Sequence, residues 1–112
     1  MTSPTVTDTL TFLFTDIESS TRLWQQHPQA MQTSLALHDQ ILHQSIQSCN
    51  GKVFKTVGDA FYAVFETAPD AMQAALIAQR ILNNTEWGET GALKVRMAID
   101  TGLVEQRNGD YF

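Results

Sequence analysis

Alternating apolar and β-branched residues begin at Thr9 and run to Thr15. Leu10, Phe12 and Phe14 share one parity and threonines take the other, which is the period of a strand. Asp16 continues the Leu10-Phe12-Phe14 face where that strand is predicted to end. Glu18-Ser19-Ser20-Thr21 then supplies N-cap residue types ahead of Arg22-Leu23-Trp24, so a helix is predicted to start beside the carboxylate. His27-Pro28 breaks it. From about Gln29 to Ser48 the period lengthens to that of a second helix, with Met31, Leu35, Leu42, Ile46 and Cys49 on one stripe and Ile41 beside it. Asn50-Gly51 reads as its C-cap.

Between Val53 and Phe65 two β-rich runs flank Gly58-Asp59, the signature of a hairpin with a carboxylate at its tip. Lys55 and Asp59 are the only charges in that run. Thr67-Ala68-Pro69-Asp70 reads as a capping box that opens a helix to about Asn83. Its apolar face is expected at Met72, Ala75, Leu76, Gln79 and Leu82, and the small Ala71, Ala74, Ala75 and Ala78 would let it sit close on a sheet. After a polar connection over Asn84–Gly91, Leu93–Asp100 alternates as a strand, with Thr101–Glu105 extending it and a bulge expected at Gly102. Arg107-Asn108-Gly109-Asp110 is a turn, and Asp110-Tyr111-Phe112 opens a further β segment. The order β-α-α-β-β-α-β predicts an α+β domain of the ferredoxin-like, split βαβ kind. That arrangement sets the first strand beside the hairpin and allows Asp16 and Asp59 to meet at one edge.

Composition narrows the class. A chain of 112 residues that is 43% hydrophobic and 17% charged fits one soluble domain. A net charge of −5 with no basic run argues against nucleic acid as a partner. Cys49 is the single cysteine, read as an apolar filler at a helix end, so a reducing cytoplasmic setting is expected. No apolar run approaches the roughly 20 residues of a membrane segment. Met1–Asp8 is polar with Pro4 and is expected to be a disordered leader, leaving 9–112 as the domain. His38 and His43 stand five apart, not at helical metal-pair spacing, and with His27 are read as structural or surface residues.

Two carboxylates brought together repel unless a cation intervenes. Facing aspartates at strand ends, with a helix start nearby for phosphates, suggest Mg²⁺. The competing reading makes Asp16 a helix cap and Asp59 a turn former.

Three separate stretches, Phe14-Thr15-Asp16-Ile17-Glu18-Ser19-Ser20-Thr21, Lys55-Thr56-Val57-Gly58-Asp59 and Val95-Arg96-Met97-Ala98-Ile99-Asp100-Thr101-Gly102, resemble the catalytic domain of class III adenylate/guanylate cyclases from about Thr9 to Phe112. The resemblance implies a ferredoxin-like cyclase core lacking its C-terminal helix and strands. It implies that Asp16 and Asp59, helped by the backbone carbonyl of Ile17, hold two divalent ions, Mg²⁺ or Mn²⁺. Ser20 and Thr21 match the stretch whose N–H groups hold phosphates. Lys55 and Asp110 match the two purine-selecting positions, and this pair favours ATP over GTP. The implied reaction is ATP to cyclic AMP and pyrophosphate in cyclic-nucleotide signalling. The implied assembly is a head-to-tail homodimer, with metals from one protomer and Lys55 and Asp110 from the other.

Departures are visible. Glu18-Ser19-Ser20-Thr21 replaces the family's usual Gly-Phe portion, and Asp100 stands where His is common. The family's transition-state asparagine and arginine are not among the 112 residues, so this chain is expected to be a catalytic-domain fragment with little or no turnover. A catalytically silent, cyclase-like regulatory module is the alternative. A phospho-acceptor receiver domain is disfavoured because Thr15 is not acidic. Diguanylate cyclases are disfavoured because their Gly-Gly-acidic turn is absent around Gly58-Asp59.

Overall fold

Strand β1 runs from Val6 to Ile17 in the computed structural model, which describes residues 6–112. It is followed by α1 (Ser20–Gln26), α2 (Pro28–Ser48), β2 (Lys52–Val57), β3 (Ala60–Phe65), α3 (Ala68–Asn83), a 3-10 turn (Gly88–Thr90), β4 (Val95–Arg107) and β5 (Asp110–Tyr111). Of the leader expected over 1–8, residues 6–8 belong to β1, paired with Gln106, Glu105 and Val104 of β4, and residues 1–5 lie outside the described part. The pairing partner lies nearly a hundred residues away, so local polarity could not signal it.

The strand order is β2-β3-β1-β4-β5, with every neighbouring pair antiparallel. β3 is inserted between β1 and β2, and β1 between β3 and β4. This is the ferredoxin-like arrangement. No helix of the described residues is long and apolar enough to cross a membrane.

β1 is central and both of its faces are used. Leu13 and Ile17 are buried in the main core with Met31, Ile41, Leu42 and Ile46 of α2 and Ala71, Ala74, Ala78 and Leu82 of α3. The threonines of this parity, Thr11 and Thr15, are buried as well. The Leu10-Phe12-Phe14 parity faces away from the helices. There Leu10, Phe12 and Val64 form a second cluster, flanked by Phe14, Phe54, Val104 and Tyr111. Asp16 belongs to this open face.

His27 caps the end of α1 and the start of α2, with Pro28 in the first turn. Within α2, Met31, Leu42 and Ile46 are buried as expected, whereas Leu35 is only half-buried. His38 is fully buried, with Nδ1 2.8 Å from Asp39 Oδ1 and its ring edge-on to Phe61. The N-cap half of the α3 capping box is formed: Thr67 Oγ1 accepts from the Asp70 N–H at 3.3 Å. Its buried face differs from expectation. Ala71, Ala74, Ala78 and Leu82 meet the sheet, while Met72 and Leu76 stay 61% and 47% exposed. Small side chains win that face because they let the helix axis approach closely, and the bulkier pair is displaced to its margin. The polar connection after α3 is anchored by Trp87, whose Nε1 donates to Leu82 O at 3.2 Å.

The expected bulge falls elsewhere. Gly102 pairs with Leu10 inside an unbroken β1–β4 register, so it forms no bulge. A register shift instead lies between Val53 and Lys55 of β2, at Phe54. At the end of α2, Asn50 adopts φ 64° and the Gly51 N–H returns to Ile46 O at 2.9 Å, closing the helix.

Candidate active site on the open face of the sheet

The carboxylate end is built by sheet register. Thr15 pairs with Phe61, so one further step sets Asp16 opposite Ala60, next to Asp59. Asp59 sits in the two-residue β2–β3 turn, where Gly58 takes φ 58° and spares a side chain the strain of that conformation. Asp16 and Asp59 therefore lie at one end of adjacent strands. Buried Ile17 anchors the end of β1, and the Glu18 N–H donates to Lys94 O at 2.8 Å.

Across β1 on the other side, Asp16 pairs with Arg96 of β4. Arg96 Nε donates to Asp16 Oδ1 at 2.8 Å and Nη2 to Oδ2 at 2.7 Å, a bidentate fork. The hydrogen bond from Arg96 holds the Asp16 carboxyl below the ordinary aspartate range; burial works the other way, and the guanidinium charge adds to the lowering. Arg96 is pushed up in turn, first by that hydrogen bond and the charge of Asp16, then by the charges of Glu18 and Asp59. Sequence reading gave Arg96 no role. Its only advance signal was that it is one of two bases, with Lys94, in an alternating strand, and the β1–β4 register that makes it Asp16's partner is a tertiary fact.

The helix start beside Asp16 departs from expectation in one respect. Ser19 is the N-cap with φ 61° and makes no side-chain capping bond. The first helical bond is donated by the Leu23 N–H to Ser19 O at 3.1 Å, so the first-turn N–H groups of Ser20 and Thr21 are not engaged within the helix. Among the described residues no three His, Cys, Asp or Glu side chains converge as a metal cluster. The donors on hand are the carboxylates of Asp16 and Asp59 and the Ile17 carbonyl. This is a hard oxygen set, of the kind that suits Mg²⁺ or Mn²⁺ with the remaining positions left to water or phosphate.

A second polar pair lies on the same face. The shift at Phe54 sets Phe54 and Lys55 together against Tyr62, so both project from the open face. Lys55 Nζ stands 4.0 Å from Asp110 Oδ2 and 6.0 Å from the Tyr62 ring centre. Asp110 Oδ1 accepts from the Tyr111 N–H at 2.8 Å, which orients the carboxylate. β2 and β5 are opposite edges of a five-stranded sheet, about 19 Å apart if it were flat. Yet the Phe54 and Tyr111 rings are 4.7 Å apart, centre to centre. The β4–β5 arm must therefore curl over the open face. Burial raises the Tyr111 hydroxyl above its ordinary pKa, and the charge of Asp110 adds to this.

Phe12, Phe14, Phe54, Tyr62 and Tyr111 pave the floor between the two polar pairs with stacked and edge-to-face contacts. A groove of about 370 Å³ runs along Lys55 and Asp110, and a neighbouring one lies along Asp16 and Arg96. They share Phe14 and Tyr62. The register thus sets Asp16 and Asp59 at one end of adjacent strands, Lys55 stands against Asp110, and an aromatic floor runs from that pair to Asp16.

An antiparallel α+β sheet with helices on one face and a polar-aromatic groove on the other defines the class. The match to known proteins supplies the family. Residues 3–108 match the adenylate and guanylate cyclase catalytic domain. The chain is 36% identical over 84 residues to an adenylate cyclase of Neurospora crassa, covering 75% of this chain and 4% of that protein. It is 39% identical over 82 residues to a receptor-type adenylate cyclase of Trypanosoma congolense, covering 73% and 11%. A solved Trypanosoma brucei adenylate cyclase in its monomeric state superposes with a TM-score of 0.86 at 26% identity, over 94% of this chain and 63% of that one. This chain belongs to the adenylate/guanylate cyclase catalytic domain family. It spans only a small part of the length of these curated relatives.

Proposed function

We propose that this chain is part of an adenylate cyclase, converting ATP to cyclic AMP and pyrophosphate. The observation that carries the substrate choice is the pairing of Lys55 with Asp110 beside an aromatic groove whose neighbour, sharing Phe14 and Tyr62, reaches Asp16. Lysine donates to adenine N1, and the aspartate accepts from the exocyclic amine. Guanine presents an N–H at N1 and a carbonyl at C6, so the same pair opposes it. Phe54, Tyr62 and Tyr111 supply faces for a flat base.

Asp16 and Asp59, with the Ile17 carbonyl, would hold the divalent ions, which when bound supply Lewis acidity to the ribose 3′-hydroxyl and the phosphates. The 3′-oxygen bonds to the α-phosphorus, the bond from that phosphorus to the bridging oxygen breaks, pyrophosphate leaves, and the hydroxyl proton is released. Ser20 and Thr21 offer first-turn N–H groups to phosphate oxygens. In the proposed head-to-tail homodimer, Lys55 and Asp110 of one protomer serve the carboxylates of the other. The asparagine and arginine that complete the family's site are not among these residues, so the chain alone is proposed to bind with little turnover. A cytoplasmic setting accords with the lone cysteine.

Calorimetric titration with ATP and GTP in Mn²⁺ tests this. ATP is expected to bind more tightly, and Lys55→Glu is expected to reverse the order; unchanged preference in that variant would refute the base assignment. The Arg96–Asp16 ion pair favours a second reading, a silent cyclase-like module, because it engages one metal ligand. ATP binding indifferent to metal would support that module.

A further inference from the structure

We propose that Arg96 is a resident counter-cation of the carboxylate site, competing with the divalent ion for Asp16, so that metal entry must break the Arg96–Asp16 fork. The inference rests on the metal reading of Asp16 and Asp59 and adds what sets their affinity. Both carboxylate oxygens of Asp16 are occupied, at 2.8 and 2.7 Å, by a single guanidinium. A metal ion bonding to either oxygen must displace an N–H donor. The charges of Glu18 and Asp59 reach Arg96 as well as that of Asp16, so its guanidinium is the positive charge of this end of the sheet.

Two features make the fork releasable. The Arg96 side chain is 64% exposed and that of Asp16 43%, so the pair sits in a high dielectric where its net strength is modest. Arg96 also rises from β4 while the carboxylates belong to β1 and the β2–β3 turn, so the side chain can swing away without moving a metal donor. A fixed positive charge in the site lowers its affinity for a second one, and removing that charge should raise it.

The test is a Mn²⁺ titration of the 112-residue chain by calorimetry, comparing wild type with Arg96→Ala, Arg96→Lys and Asp16→Asn. Arg96→Ala is expected to tighten Mn²⁺ binding by roughly two- to fivefold, the scale of one exposed charge pair. Arg96→Lys, which cannot form the fork, should fall between. A second readout needs no variant: the Arg96 Nε–H resonance is expected to shift on saturation with diamagnetic Mg²⁺. Equal or weaker binding in Arg96→Ala, with binding lost in Asp16→Asn, would overturn the competition and leave the metal site standing, as would an unmoved Nε–H resonance at saturation. Absence of Mn²⁺ binding in both wild type and Arg96→Ala would overturn the metal site and the competition together.

Discussion

Asp16 carries an acid-side pH dependence that follows from one hydrogen-bonded fork. Its folded pKa lies below the ordinary value of 3.8, mainly through the hydrogen bond from Arg96. A depressed folded pKa stabilises the fold above the ordinary value, and that stabilisation is lost as pH falls through the folded value. Carboxyl ¹³C titration is expected to place Asp16 below the solvated aspartates, and Arg96→Ala to return it upward. In urea unfolding the Arg96→Ala penalty should shrink on going from pH 6 to pH 2.5. The aspartates themselves were visible in the sequence because strand-end and turn-tip acids stand out against apolar runs. Arg96 was not, since its meaning comes from pairing with a residue 80 positions away.

At the scale of elements, helices and strands were legible wherever local periodicity was strong. Their edges and faces were decided by packing. Residues 6–8 join β1 because β4 is long enough to pair with them, and α3 turns its alanines inward because the sheet admits them closely. Gly51 shows how tight one such junction is. A Cβ there would run into the ring of Phe65 and lie 2.8 Å from Ile46 Cγ2, and Phe65 is itself buried. Gly51→Ala is expected to destabilise the domain by about 1–3 kcal/mol, the usual range for overpacking, read as a lower urea midpoint at unchanged slope. Ala74→Ser, a small replacement on the buried face of α3, should cost less than Ala74→Leu, which would force the helix off the sheet.

The molecule as a whole is a thin, long plate, 52 × 28 × 18 Å over the described residues. Its least dimension is about that of one sheet with a single layer of helices. The face without helices is covered in part by the chain's own β4–β5 arm, held by Tyr111 against Phe12 and Phe54 at 5.3 and 4.7 Å. Tyr111→Ala is expected to speed amide exchange at Glu105 and Phe112, which bond each other at 2.9 Å in both directions. Protection along the centre of β1 should persist. It should also weaken ATP binding more than Mn²⁺ binding, because the arm carries Asp110 and not the carboxylates of the metal end.

The shift at Phe54 has a counting consequence. Val53 faces the helices opposite Ala63, so regular alternation would send Lys55 to that same buried side. The additional residue reverses the parity, and Lys55 reaches the open groove only because β2 is one position longer than its partner needs. Choice of base would then depend on strand arithmetic as well as on side-chain chemistry. Deleting Phe54 would leave Lys55 in the sequence and drive it toward the core, so a guanine-versus-adenine preference could be erased by changing a length alone.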